Sequence, residues 1–187
     1  YQVLYENADQ LREQIFSEFT LPENKLKYHH YQQMEESVLR WYIMLIFHLI
    51  ITAIRTGDRA LFRTYIQTIA YRRYIEEFSL TEVEAALRGI GQVLDQFLQK
   101  EPQVTEFKDR IYDYIHLTIQ LAIDEMEDSY EYLSSQPPEV LEKFADISLP
   151  TESVDLERIV HQLQDICENG LEEKLSRQIR EYRDGTR

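Results

Sequence analysis

Three groups of side chains in this sequence have the types and spacing to do chemistry. Asp124, Asp128 and Glu131 fall at i, i+4 and i+7, one face of a helix, where three carboxylates could bind a hard cation. Like charges at that spacing repel, and a solvated acidic face requires no ion. No EF-hand loop spacing accompanies them, so no metal is assigned. Asp124, Glu127, Asp128 and Glu131 are expected instead to form an acidic docking face.

The second group is histidine. A di-iron bundle needs a Glu-x-x-His pair on each of two helices, and the nearest match, Asp113-x-x-His116, occurs once. His29, His30 and His161 have no carboxylate three residues earlier. His48 and His116 are each embedded in apolar helical stretches, which makes them candidates for the axial ligand of a haem or other tetrapyrrole. A lone histidine on an apolar face is more often a hydrogen-bonded core residue, so no cofactor is expected in the leading reading.

The third group is Tyr65, Tyr71, Arg72, Arg73 and Tyr74, with Arg55, Arg59 and Arg63. Arginine presents a planar fork of donors, so these residues could hold a carboxylate or phosphate, or contact a partner. They could equally form ion pairs with Glu76, Glu77 and the acidic segment further on, within one molecule or across a dimer. Nucleophilic catalysis finds no support. Cys167 is flanked by Asp165 and Glu168, which raise rather than lower a thiol pKa, and no G-x-S-x-G, P-loop, HExxH or kinase signature occurs. The expectation is a protein that is not an enzyme.

Helices must position these groups. Val3, Leu4, Ala8, Leu11, Ile15 and Phe19 recur at three- and four-residue steps and predict an amphipathic first helix, broken at Leu21-Pro22-Glu23-Asn24. A second helix starts between Leu26 and Tyr31 and runs to about Thr56, with Gly57 as a left-handed stop and Asp58 capping the next helix. The third ends near Phe78. Ser79-Leu80-Thr81-Glu82 then has capping-box spacing, with Glu82 reaching back to Ser79. A fourth helix carries Val83 to Leu98, and Glu101-Pro102 breaks it. A fifth runs from about Gln103 to Leu133, with Val104, Phe107, Ile111, Ile115, Ile119, Ala122 and Met126 inward. After Pro137-Pro138 come a short helix at 139–145 and a long one at 153–182. The expected architecture is all-α, a globin-like or helical-bundle domain over 1–135, followed by a linker and a long C-terminal signalling helix over 136–187.

Composition bounds the function. There are 34 Asp and Glu against 20 Lys and Arg, a net charge of −14, with 43 % apolar residues, 5 Gly, 5 Pro and one Cys. So few turn formers argue against a many-stranded β fold, and so much apolar and aromatic content argues against disorder. The acidity argues against nucleic acid as a partner. Residues 101–146 hold 12 acidic and 3 basic side chains, whereas 31–78 hold 5 acidic and 6 basic, so one face should be strongly negative. Trp41 to Ile54 is apolar over 14 residues, short of the ~20 that span a bilayer, and predicts a buried central helix without membrane insertion. No basic stretch followed by an apolar one opens the sequence, so no signal peptide is expected within it, and a cytoplasmic location follows.

The stretch from Gly57 through Asp58-Arg59-Ala60-Leu61-Phe62-Arg63 to Tyr71-Arg72-Arg73, continuing through Phe78-Ser79-Leu80-Thr81-Glu82-Val83 to Leu87, resembles the amino-terminal sensory domains of RsbR-type stressosome proteins. The family is called the RsbT co-antagonist RsbRD amino-terminal domain. The resemblance covers residues 31–133 and rests on helix types and breakpoints. It implies a globin-like helical domain without haem, which dimerises and passes a signal through a C-terminal helix to a fused output domain or a downstream protein. The residues given include no STAS, kinase or phosphatase domain, and the first helix and the Pro137-Pro138 break depart from the pattern. The resemblance carries over no catalytic residue. The leading expectation is therefore a non-enzymatic bacterial sensory or regulatory domain working as a homodimer. A tetrapyrrole sensor using His48 or His116 and an adaptor with an acidic docking face are the alternatives.

Overall fold

The computed structural model describes residues 1–137 together with Leu141. Their regular structure is entirely helical: α1 (Gln2–Glu6), α2 (Ala8–Thr20), α3 (Glu36–Thr56), α4 (Ala60–Ile75), α5 (Leu80–Lys100) and α6 (Lys108–Ser134). Short 3-10 turns occupy Pro22–Asn24, Tyr31–Gln33 and Pro102–Val104. The all-α bundle expected from periodicity is the architecture found. The helices expected at 139–145 and 153–182, with nearly all of the 136–187 segment, lie outside the described residues.

Local chemistry explains the helix ends. The expected single first helix is two, because the Asn7 side chain donates to Val3 O at 2.8 Å while its own backbone leaves the helical region. Gly57 stops α3 at φ 71°. The Asp58 carboxylate, one residue before the N-cap position Arg59, accepts from the free Ala60 N–H at 2.8 Å at the start of α4. Ser79 Oγ accepts from the Glu82 N–H at 3.2 Å, which is half of the expected capping box. The other half is absent, because the Glu82 carboxylate is held by the loop before α3.

That loop is also why α3 starts later than periodicity suggests. Residues 25–35 are spent on burying Tyr28 and Tyr31, and the chain is extended at Met34 and Glu35 before helix resumes at Glu36. At 21 residues α3 is long and apolar enough, by length and composition, to cross a membrane, with mean hydropathy 1.8 over its apolar window. However, 67 % of that window is buried inside the protein, as in a core helix. α6 packs along α4 and α5 and also touches α3, while α2 closes the side between α3 and α5. Leu11, Ile15, Ile50, Ile51, Ile66, Leu94 and Ile123 are fully buried where these helices meet. Phe107, expected inward, is 51 % exposed, because it precedes α6 rather than lying on its inner face.

Candidate functional site

Among the described residues one guanidinium is buried. Arg73, in the last turn of α4, is 1 % exposed. Its position follows from how α4 stops: Glu77 takes φ 62°, and the Phe78 N–H returns to Arg73 O at 2.9 Å, a left-handed reversal made here without glycine. The reversal places the Phe78 ring centre 4.6 Å from the Arg73 guanidinium. Tyr42 of α3 and Tyr31 of the preceding loop lie 4.4 Å and 5.3 Å from it, so three aromatic rings surround the cation. The Glu76 carboxylate accepts from Arg73 Nη1 at 2.6 Å and from Arg72 Nε at 2.7 Å, so two guanidinium groups share one anion.

The loop is fastened to this cluster. One Glu82 carboxylate oxygen accepts from the His30 N–H at 2.7 Å, and the other from the His30 ring Nδ1 at 2.7 Å. The His30 ring also packs on Phe78, with centroids 4.8 Å apart. On the far side, the Tyr130 hydroxyl of α6 donates to Phe78 O at 3.1 Å, and the Tyr74 ring meets Tyr130 edge-on at 5.3 Å. The turn after α4 therefore touches the loop and the C-terminal part of α6, while Arg73 just before it reaches Tyr42 of α3.

Two polar atoms here, Arg73 Nε and the Tyr42 hydroxyl, are buried without a hydrogen bond of ordinary geometry, although the Tyr31 and Tyr42 phenols interact with the Arg73 guanidinium. Both residues line a small, half-open pocket of about 40 Å³ that also meets Tyr31 and Tyr65. Its remaining wall is mostly aliphatic, including Leu39, Ile43, Ile46, Leu87 and Ile90, with Met126 from α6. Burial opposes the charge on Arg73, but Tyr31, Tyr42 and Glu76 together hold its pKa above the ordinary value. Burial pushes the hydroxyls of Tyr31, Tyr42 and Tyr65 up, so all three stay protonated. Around the cavity stand a cation and three phenols. All can donate, and the cation cannot accept.

The remaining arginines and tyrosines named from the sequence do not form one group. Arg55 lies 4.9 Å from the Tyr1 ring centre. Arg59 donates to Thr118 Oγ1 at 2.8 Å and lies 3.9 Å from the Tyr114 ring centre, while Arg63 pairs with Glu125. Arg72 stays at the surface edge of the cluster, and Tyr71 is partly buried away from the cavity lining. Only Arg73 and Tyr65 reach the cavity. Tyr31, Tyr42 and Phe78 were not anticipated. A usable signal existed for Tyr42, which shares a helix face with Leu39 and Ile46.

Asp124, Glu127, Asp128 and Glu131 are all exposed, as a docking face requires. Their neighbour Glu125 is instead 6 % exposed, accepting from Gln67 at 2.7 Å and pairing with Arg63. No group of three or more metal-ligating side chains converges among the described residues.

His48 is buried, and its Nδ1–H donates to Met44 O at 2.8 Å. Burial lowers its pKa, partly offset by that hydrogen bond. It does not line the small pocket at Arg73 or the groove between α5 and α6. His116, expected in an apolar setting, is exposed, with its ring parallel to Tyr112 at 6.1 Å. It lines that groove, whose volume of about 240 Å³ is below the roughly 300–1,000 Å³ of small-molecule and cofactor sites.

Compared with family models, with curated proteins and with solved structures, the chain finds no match in any of the three.

Proposed function

We propose that this chain is a non-enzymatic sensory or regulatory domain of a bacterial signalling protein, and that the cavity at Arg73 is its input. One observation carries the proposal: a guanidinium and a phenol stand buried side by side in an apolar core beside a small pocket, with Arg73 Nε and the Tyr42 hydroxyl making no hydrogen bond of ordinary geometry. Unpartnered buried polar groups are destabilising by about 1–3 kcal/mol each, so a fold that keeps two together favours states in which something satisfies them. The resemblance to RsbR-type sensory domains supports the same reading.

Transmission has a physical route. A group entering the cavity contacts Arg73 of α4, Tyr42 of α3 and Met126 of α6 at once. The Phe78 turn beneath Arg73 is hydrogen-bonded to Tyr130, one helical turn from the end of α6, where the chain continues to residues 135–187. Differential affinity for two arrangements of these helices would shift their populations. Hydrogen exchange provides the test. Arg73→Met, which retains length and removes the charge, should change amide protection several-fold over 126–134 and leave α1 and α2 alone. Equal protection of 126–134 in both proteins would remove the proposal.

The exposed run Asp124, Glu127, Asp128 and Glu131 supports a second reading, an adaptor that docks a basic partner. It is compatible with the first, because α6 carries both the acidic face and the contact to the Phe78 turn. Tetrapyrrole binding at His48 or His116 draws less from the geometry, since one is engaged away from both pockets and the other lies at the surface.

A further inference from the structure

Resting on the reading of the α6 face as a docking surface, we infer that its occupant is a segment of this same chain, residues 174–187, seated along α6 and the groove between α5 and α6. An uncovered apolar strip runs there. Of the six large hydrophobic side chains exposed among the described residues, Tyr112, Leu117 and Tyr132 lie on α6 and Phe107 immediately precedes it. Beside them the half-open groove of about 240 Å³ has Leu98, Ile115 and Ile119 in its wall, and Gly91 of α5 contributes no side chain to fill it.

Charge selects the occupant. On the outward side of α6, Asp113, Asp124, Glu127, Asp128 and Glu131 are exposed, and none has a cation partner among the described residues, unlike their neighbour Glu125. Gln120 of the groove wall donates to Asp124 at 2.7 Å, so the acidic row borders the groove. A second copy of α6 would set like charges against each other, whereas an amphipathic stretch rich in Lys and Arg is complementary. Residues 174–187 lie outside the described residues, and their sequence has that character. They hold 5 of the chain's 20 Lys and Arg (Lys174, Arg177, Arg180, Arg183 and Arg187) against 2 acidic residues. Leu175, Ile179 and Tyr182 recur among them at four- and three-residue steps. The other arginine-rich stretch, 55–73, is engaged inside the bundle, with Arg59 on Thr118, Arg63 on Glu125 and Arg73 on Glu76. Reach is ample. From Ser134, where α6 ends, Gln120 and Tyr112 lie about 20–35 Å back along the helix, and residues 135–173 supply 39 links to return that far. Each exposed ion pair is weak alone, but attachment to the same chain raises the effective concentration of the segment. A foreign basic partner then gains the α6 face only by displacing it.

Paramagnetic NMR on the full 187-residue chain tests this. A nitroxide is attached at Gln178→Cys in a Cys167→Ser background, where it occupies the one thiol. Amide signals of 112–128 should be broadened more than those of any other described segment. Arg177→Glu with Arg180→Glu should abolish that broadening, and adding Asp124→Arg with Asp128→Arg to the same chain should restore most of it. Absence of broadening over 112–128 would overturn the inference, as would broadening that survives the two glutamates. Isotope-labelled chains without nitroxide, mixed with unlabelled chains that carry it, should show none. Equal broadening in that mixture would seat the segment of a second copy and overturn docking within one chain. A synthetic peptide of residues 171–187, titrated into the chain with Arg177→Glu and Arg180→Glu, should shift the same signals. Peptide shifts without broadening by the attached segment would remove the inference and leave α6 as a face for a basic partner. Absence of both would remove the docking face as well.

Discussion

Gly89→Ala sets two effects of similar size against each other, and the structure decides between them. Position 89 lies inside α5, where alanine is favoured over glycine by about 1 kcal/mol. A methyl group there would fall well inside van der Waals contact with the Tyr28 hydroxyl, while the next ring atom, Cζ, would sit at an ordinary 3.5 Å. Tyr28 has little room to retreat. It is fully buried, stacked on Phe19 at 4.6 Å, and its hydroxyl lies 3.1 Å from Glu18 Oε1. Clearing the methyl would require the ring to withdraw by roughly 1 Å, loosening the stack and losing a hydrogen bond to a carboxylate. Overpacking of that kind costs about 1–3 kcal/mol, and the hydrogen bond about 1.5–3 kcal/mol. Set against the helix gain, Gly89→Ala should destabilise by about 1.5–5 kcal/mol. In a Tyr28→Phe background the clashing atom is gone, so the same substitution should stabilise by about 0.5–1 kcal/mol. Urea unfolding of the four proteins of this cycle, followed by far-ultraviolet circular dichroism, measures the reversal directly if the m values agree. Equal destabilisation in both backgrounds would show that the Tyr28 hydroxyl is not what the methyl meets, and the packing of α2 and the loop against α5 would need redrawing.

Two further substitutions test the ends and the interior of the helices. Glu77 is exposed and held at φ 62°, a region that disfavours side chains by about 1–2 kcal/mol, so Glu77→Gly should raise the urea midpoint by about 0.5–1 kcal/mol of stability after the greater freedom of glycine in the unfolded chain. An unchanged or lowered midpoint would mean that the Glu77 side chain contributes what the backbone loses. His48 has a folded-state pKa below its ordinary 6.5, so the unfolded chain binds the proton more readily. Its stabilising contribution is complete above that value and declines as pH falls through it, by at most about 1.4 kcal/mol per pH unit. His48→Gln should therefore flatten the stability profile between pH 7 and pH 5, and a profile identical to wild type would refute the assignment.

The parts of the fold legible in the sequence are those set by neighbours in sequence. Gly57 as a stop, Asp58 as an acceptor for a free N–H at the start of α4 and Ser79 as an N-cap each involve residues within three positions, and each is found where spacing places it. The second half of the capping box failed for a reason outside any local window: Glu82 is claimed by His30, 52 residues earlier. Arg72 and Arg73 carry the same side chain at adjacent positions. Yet a rotation of about 100° per residue sends one to the edge and the other to the core, a distinction that composition cannot make. Glu125 is legible as an inward residue. It continues the inward row of Thr118 and Ala122, so periodicity already separates it from the exposed Asp124, Glu127 and Asp128.

Arg73 presents the sharpest conflict between stability and structure in the bundle. Replacing a buried ion pair with an apolar side chain of similar size is often neutral or stabilising, so packing alone gives no reason for arginine at this position. The cage of Tyr31, Tyr42 and Phe78 and the bond to Glu76 keep the charge tolerable, but they leave Nε and the Tyr42 hydroxyl unmatched. A side chain needed only as a pillar would be fully satisfied by its surroundings, as Tyr28 is by Glu18 and Glu125 is by Arg63 and Gln67. The incomplete satisfaction occurs where α3, α4, α6 and the loop before α3 converge. There a small change in hydrogen bonding alters four contacts together. That coincidence of unmet donors with a junction of elements distinguishes this cavity from an ordinary packing defect, which would be apolar and would touch no reversal of the chain.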